Sequence, residues 1–330
     1  MPGGASEQEK RYGFQGRLKA QFPSQVVVDA AEVCNLACIH CPHPEFKKSP
    51  HYSGAFLDPA LNAKMVDEVA AHGRGHTLYI RYTSNGEPLV HPGIYDMLDY
   101  AVRRSGVFVT LTTNGTTMNE KRIRKLLESG LHLVDVSIDA FSDAAYAAVR
   151  VNGELPVTRE NVRSLIRMKR ETGAATRIAV SFVEQAQNRG EAEPFERFWR
   201  AEGADQVVIR RLHSAAGGVP IIAHMMRREQ GATPRYPCLY PWERILLNPR
   251  GALAFCPQDW SHGSAIADYR DTTIREVWTG EFYRRLREAH LAGDFRQHGF
   301  CGQCPDWRQT RWPWQGRSYA DMVEELAARP

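Results

Sequence analysis

The stretch "AAEVCNLACIHCPHPEF", residues 30–46, places Cys34, Cys38 and Cys41 within eight positions. Three soft ligands at such spacing form a metal pattern, yet a closed tetrahedral zinc site takes four protein ligands. The nearest candidates for a fourth are His40 and His43. The set otherwise stands one ligand short. Three thiolates on an iron–sulfur cube would leave one iron free to hold something else.

Working outward, the run "QVVVDA" at 25–30 precedes this stretch, and five more β-branched runs follow: 77–82, 107–112, 133–138, 177–182 and 205–210. Segments of helical period separate them, which is the pattern of βα units around a parallel sheet. Asp58 and Pro59 supply an N-cap and a first-turn proline for a helix with Leu61, Met65 and Val69 on one face. The stripes Ile94/Met97/Leu98/Ala101 and Val162/Leu165/Ile166/Met168 are read as core against the sheet. The three cysteines then fall just past the C-terminal end of the first strand, where an α/β barrel gathers its chemistry. After about residue 212 the rhythm fails, "HSAAGGVP" reads as a linker, and the remainder is rich in Pro, Trp, Tyr and Cys.

C-x3-C-x2-C after a first strand resembles the signature of radical S-adenosylmethionine (radical SAM) enzymes. That resemblance implies a 4Fe-4S cluster on Cys34, Cys38 and Cys41, with the cofactor chelated on the open iron and cleaved to a 5′-deoxyadenosyl radical. "SNGEPLVHP", residues 84–92, resembles the family's Gly-Gly-Glu-Pro segment, so Asn85, Gly86, Glu87 and Pro88 are expected to contact the methionyl group. Asn85 stands where the family has its first glycine. "TTNG" at 112–115 and "VSIDAF" at 136–141 close the third and fourth strands like cofactor-contacting segments of relatives. By that likeness Ser137 is a polar contact and Arg150 a partner for the cofactor carboxylate; the bland reading has Ser137 and Asp139 simply starting a turn. The implied fold class is α/β, a partial (β/α)6 radical SAM barrel over 25–212.

Cys238, Cys256, Cys301 and Cys304 remain, and four is the number that closes a cube or a zinc site. "CLYPWERILLNPRGALAFC" reads as a hairpin turning near Gly251, with cysteines near both strand ends, and "CGQC" follows a helix. This order is similar to the SPASM or twitch extension of radical enzymes with a single auxiliary 4Fe-4S cluster. The expected organisation is an extension at 1–24, the barrel at 25–212, a linker at 213–233, a small α+β cysteine-rich SPASM/twitch-like domain at 234–318 and a C-terminal helix at 319–330. All seven cysteines are then used, so no thiol is spare to return a hydrogen atom. Tyr146, Tyr236 and Tyr240 are the substitutes available, and nothing in the sequence separates them.

Composition limits the partners. The 330 residues are 43% hydrophobic and 24% charged, a globular balance, and the net charge of +4 is spread along the chain and not gathered into blocks. Nucleic acid is therefore not an expected partner, whereas acidic small substrates are compatible. No signal peptide and no apolar run of membrane-spanning length is visible, so a cytoplasmic location without membrane association is expected, and thiols there serve as metal ligands more than as disulfides.

A fully ligated auxiliary cluster favours electron acceptance, hence oxidation. The small dehydrogenases with twitch domains, which this chain resembles, act on aminocyclitols and sugars, and a small-molecule substrate with a flavodoxin or ferredoxin as reductant is the expectation. Glu184, Gln185, Asn188, Arg210, Arg211 and His213, at the ends of the later strands, are the expected substrate lining, with His213, Arg210 and Glu184 as catalytic candidates and His213 as base. Trp242, Trp260, Trp307, Trp312 and Trp314 are read as packing that shields a cluster, with a sugar-stacking platform as the sharper alternative. Ribosomal-peptide modification, epimerisation, sulfur transfer and a non-catalytic metal or electron-transfer role are the competing functions.

Overall fold

The computed structural model describes residues 21–83, 85–230, 235–309 and 318–328. The six expected strands are β1 (Gln25–Val28), β2 (Tyr79–Tyr82), β3 (Phe108–Thr113), β4 (Leu133–Ser137), β5 (Arg177–Glu184) and β6 (Gln206–Arg211), each parallel to the next. Strand side chains alternate between two faces. Val26, Ile80, Val109, Val134 and Ile178 share one face and join the main core with the helices. Burying each such side chain contributes about 1.5–3 kcal/mol. The alternate positions, among them Tyr79, Arg81, Asp135 and Ser137, look into the barrel lumen.

The helices begin and end where local chemistry dictates. In α1 (Pro59–Glu68) the Asp58 side chain accepts from the Ala60 N–H and Pro59 opens the first turn. Its continuation Val69–Gly73 is a π-helical turn. Helix α2 (Ile94–Ser105) stops at Gly106, whose φ of 69° suits glycine. Further units supply α3 (Glu120–Glu128), α4 (Asp143–Val149), α5 (Leu155–Thr172) and α6 (Ala192–Glu202).

Beyond the barrel a helix stands within the expected linker, and the expected hairpin forms and joins the barrel sheet. Helix α7 (Pro220–Gln230) occupies most of the presumed linker, opened by Pro220 and held by Ile222 and Met226, which are buried one turn apart. Strand β7 (Arg244–Leu247) then pairs in parallel with β1, in register from Gln25↔Arg244 to Val28↔Leu247. The turn at Gly251, φ 81°, leads into antiparallel β8 (Ala252–Ala254), and β9 (Ala265–Asp268) extends the sheet, an element the sequence reading did not include. One nine-stranded sheet, β6-β5-β4-β3-β2-β1-β7-β8-β9, therefore runs through both halves. Helices α8 (Ile274–Thr279) and α9 (Glu281–Ala292) follow.

Helix α10 (Tyr319–Ala327) starts on a capping box between Ser318 and Asp321. A C-terminal helix is expected there, but its seat is not apparent in the sequence. Met322 and Leu326 pack on Leu133 and Ala179, and Ala320 and Val323 on Tyr79, so the helix fills part of the barrel lumen. Nearly all of the expected N-terminal extension, together with Trp312 and Trp314, lies outside the described residues. Among the described residues no helix is long and apolar enough to cross a membrane.

Candidate functional site

Cys34, Cys38 and Cys41 line one cavity of about 610 Å³. The loop that carries them is tied to α4 by Ala37 N–H donating to Val151 O and Ile39 N–H to Val149 O. Burial pushes the Cys34 and Cys41 thiols up to about 12 and that of Cys38 upward too. Cys34 feels the charge of Cys38, and Cys41 that of both others. Arg150 Nη1 lies 3.6 Å from Cys38 Sγ and Asn114 Nδ2 4.0 Å from Cys34 Sγ.

The loop after β2 closes on the cysteine loop through Gly86. A Cβ there would sit 1.8 Å from the Ala31 carbonyl oxygen, so only glycine permits the approach. Glu87 N–H donates to Val33 O, and the Glu87 carboxylate accepts from Leu89 N–H, the Thr113 hydroxyl at 2.6 Å and Asn114 N–H at 2.7 Å. Asn85, Gly86 and Glu87 line the cavity, as do Ser137 and Arg150. Pro88 is buried at the start of a 3-10 turn and is not part of the cavity wall. The Asn85 side chain donates to Asp259 O at 3.1 Å, a tie to the C-terminal half that the family's glycine could not make.

Arg150 and Ser137 each have protein partners of their own at the cavity wall. Arg150 Nη2 donates to Asp139 Oδ2 at 2.5 Å, and His40 Nε2 lies 3.4 Å from the same oxygen. Arg150 Nε is buried without a hydrogen-bond partner. Asp139 has φ 61° and accepts from Val183 N–H. Burial lowers His40 to about 4, so its ring is neutral near neutrality. Ser137 shares a 3.3 Å hydrogen bond with Ser181.

The expected substrate residues divide. His213, Arg210 and Arg211 line the cavity, while Glu184 is exposed and is not part of its wall. Arg210 pairs with Asp135. Burial lowers His213, and its Nδ1 accepts from Ala215 N–H at 3.2 Å, which leaves Nε2 carrying the hydrogen. His213 thus lines the cavity with Nδ1 already engaged by the backbone. Gln185 contacts His40 Nδ1, and buried Asn188 donates to Asp139 O and Val183 O, a structural task.

Cys238, Cys256, Cys301 and Cys304 gather at the other end of the cavity without lining it. Cys256 feels all three of the others, burial raises it well above an ordinary thiol, and Cys304 is pushed up to about 12. Their sequence neighbours Tyr240, Pro257, Gln258 and Asp306 do line the cavity. Arg235 braces the set, donating to Cys301 O at 2.6 Å and Gly302 O at 3.0 Å with its guanidinium over the Phe295 ring. Trp242 and Trp307 are buried, and Tyr236 packs edge-on against Trp307 at 4.7 Å. Of the three tyrosines, Tyr146 is buried and bonded to Thr158, and only Tyr240 reaches the cavity.

Both thiol sets fit iron–sulfur chemistry. Buried thiols that hold their protons so firmly need a strong positive charge to become thiolates, and a cluster supplies it while spreading its ligands over separate irons. Among the described residues no three His, Cys, Asp or Glu side chains form a group that could hold a single metal ion.

Sequence reasoning missed Arg81, Asp135, Glu32, Asp29 and Arg244. A signal existed for the first two: each interrupts a β-branched run at a lumen-facing position. Glu32 is one of several ties between the halves. Its Oε1 accepts from Arg250 Nε at 2.7 Å and lies 3.0 Å from His262 Nε2, while Oε2 accepts from Ser53 and Ala55.

Comparison with known proteins agrees with this geometry. The profile of the Radical SAM superfamily matches residues 30–182, and that of the SPASM iron-sulfur cluster-binding domain matches residues 238–305. A tungsten-containing aldehyde ferredoxin oxidoreductase cofactor-modifying protein of Pyrococcus furiosus is 27% identical over 180 residues, 54% of this chain and 49% of that protein. The match thus spans about half of that relative. Mycofactocin maturase MftC of Mycobacterium ulcerans is 27% identical over 316 residues, covering 84% of this chain and 79% of that one. In fold, BtrN in complex with AdoMet and 2-DOIA superposes with a TM-score of 0.57 at 17% identity, over 85% of this chain and 92% of BtrN. Streptococcus suis SuiB bound to precursor peptide SuiA gives 0.64 at 12% identity, over 96% and 75%. The cofactors of this family are S-adenosylmethionine with its 4Fe-4S cluster, accompanied in the SPASM region by auxiliary iron–sulfur. The chain is a radical SAM enzyme with a C-terminal SPASM iron–sulfur domain.

Proposed function

We propose that this enzyme is an oxidoreductase that dehydrogenates a small polar substrate, sugar-like or aminocyclitol in character, held in the barrel lumen. The observation that carries the reading is the difference between its cysteine sets: Cys34, Cys38 and Cys41 face the cavity, whereas Cys238, Cys256, Cys301 and Cys304 sit behind its wall. Bound cofactors would supply a hydrogen-abstracting radical at the first set and an acceptor for one electron at the second, as a single closed 4Fe-4S cluster.

The chain's own residues would hold the reactants. Glu87 and the loop around Gly86 are assigned to the methionyl amino group, with Asn85 holding that loop in place through Asp259. Ser137 is assigned to a polar contact on the cofactor, and Arg150 keeps the cysteine loop in position through Asp139. His213 would donate from Nε2 to a substrate oxygen. A flavodoxin or ferredoxin would deliver the reducing electron. BtrN, with its ligand 2-DOIA, favours a small-molecule substrate. The competing reading, peptide modification, is favoured by SuiB with its precursor peptide.

The test uses anaerobically reconstituted enzyme with deuterated aminocyclitol and sugar candidates. Deuterium in 5′-deoxyadenosine together with a two-electron-oxidised product supports dehydrogenation. Turnover only with a peptide, or an unoxidised epimer as product, would sink it.

A further inference from the structure

Midway down the lumen, two guanidiniums share one carboxylate. Asp135, fully buried on β4, is paired with Arg210 of β6, and Arg81 Nη2 of β2 lies 3.6 Å from the same oxygen, Oδ2. Arg81 also donates to the Thr112 hydroxyl from Nε and Nη2, at 3.1 and 2.9 Å. Tyr319 of α10 lies beneath, its ring 4.0 Å from Arg81 Cζ and 5.7 Å from that of Arg210. Both arginines line the cavity, with side chains only 16% and 25% exposed.

The stoichiometry is unusual for a structural bridge. A guanidinium presents five N–H donors, and one carboxylate compensates one positive charge. Two largely desolvated cations on a single carboxylate leave one charge without a counter-charge, and their free donors border a cavity. Asp139 adds only the weakest of the attractions felt by Arg210, and its carboxylate is paired with Arg150. Glu243 lies against Arg244 instead, at 3.4 Å.

We propose that Arg81 and Arg210 form an anion subsite, so that the substrate carries a carboxylate or phosphate group that seats between them. Forked, charge-assisted bonds to such a group would complete the charge balance and fix the substrate's depth below the cysteine loop. This rests on reading the cavity as the substrate chamber. It narrows the class to sugar acids, phosphorylated sugars and phosphorylated aminocyclitols.

Melting of the reconstituted holoenzyme, titrated with inorganic phosphate and separately with acetate at constant ionic strength, tests the subsite without turnover. Saturable stabilisation by either anion is expected, and the one that acts identifies the group. Arg81→Gln and Arg210→Gln should each weaken the midpoint about tenfold or more. Arg197→Gln, on the exposed face of α6, should leave it unchanged. Asp135→Asn supplies the opposite sign: with the competing carboxylate neutralised the midpoint should tighten severalfold, whereas a merely structural anchor predicts lower stability with unaltered anion binding. Stabilisation that is unsaturable, or equal in all four variants, overturns the subsite. It would leave the dehydrogenation reading to be judged by its deuterium experiment.

Discussion

The two cysteine sets are alike in burial and opposite in setting. Cys34, Cys38 and Cys41 hang on a loop at the top of the barrel, beside Arg150 and Asn114, and open on the cavity. Cys238, Cys256, Cys301 and Cys304 come from three separate stretches of the C-terminal half, with buried Trp242 and Trp307 close to them in sequence and Arg235 donating to the Cys301 carbonyl oxygen. The first set borders the cavity, and the second lies outside its wall.

Replacing Cys34, Cys38 and Cys41 together by Ala should abolish reductive cleavage of S-adenosylmethionine and remove about half of the iron, leaving the spectrum of the auxiliary site. Retained cleavage would break the comparison at its root. Cys256→Ala is expected to spare cleavage without substrate while removing oxidised product, and loss of both would mean that the enclosed set does more than accept electrons.

Glu32→Gln strikes one of the ties between the two regions. Burial opposes its charge, but the hydrogen bonds from Ser53 and Ala55 and the Arg250 guanidinium hold the Glu32 carboxyl down at about 2. The ordinary unfolded value is higher, so its contribution is present above about 4.5 and is lost as pH falls toward 2. The variant should lose about 1–3 kcal/mol near neutrality and show a flatter acid limb in thermal melts. An unchanged acid limb would remove Glu32 as a linking group.

Near pH 4, Asp29→Asn should have the smallest effect. Burial raises the Asp29 carboxyl to about 8 despite N–H bonds from Asn85, Gly86 and Ala31. The folded chain keeps a proton that the unfolded chain releases near 3.8, so stability declines as pH rises between these values. The variant should melt like the parent near pH 4 and gain on it toward pH 8. A loss that grows with pH would show that the carboxylate itself holds the loop.

The barrel was legible because each strand from β1 to β6 carries its own β-branched run and each intervening helix its own apolar stripe. The cysteines were legible by count and spacing, with Gly86 and Glu87 beside them. The pairing of β7 with β1 was not, because "RILL" looks the same whether it closes a hairpin or joins a distant strand. The role of His213 depended on the Ala215 N–H, and the double claim on Asp135 on three strands meeting in space. Such facts are properties of register and neighbourhood, which a one-dimensional reading does not contain.

The seat of α10 has a consequence for biosynthesis. The helix that fills the lumen begins about a hundred residues after the last barrel strand ends at Arg211. At ~5–20 residues per second a ribosome needs roughly 5–20 s to make that interval. During it Leu133, Ala179 and Tyr79 lack their eventual cover, so the lumen carries exposed apolar surface until the helix emerges and docks.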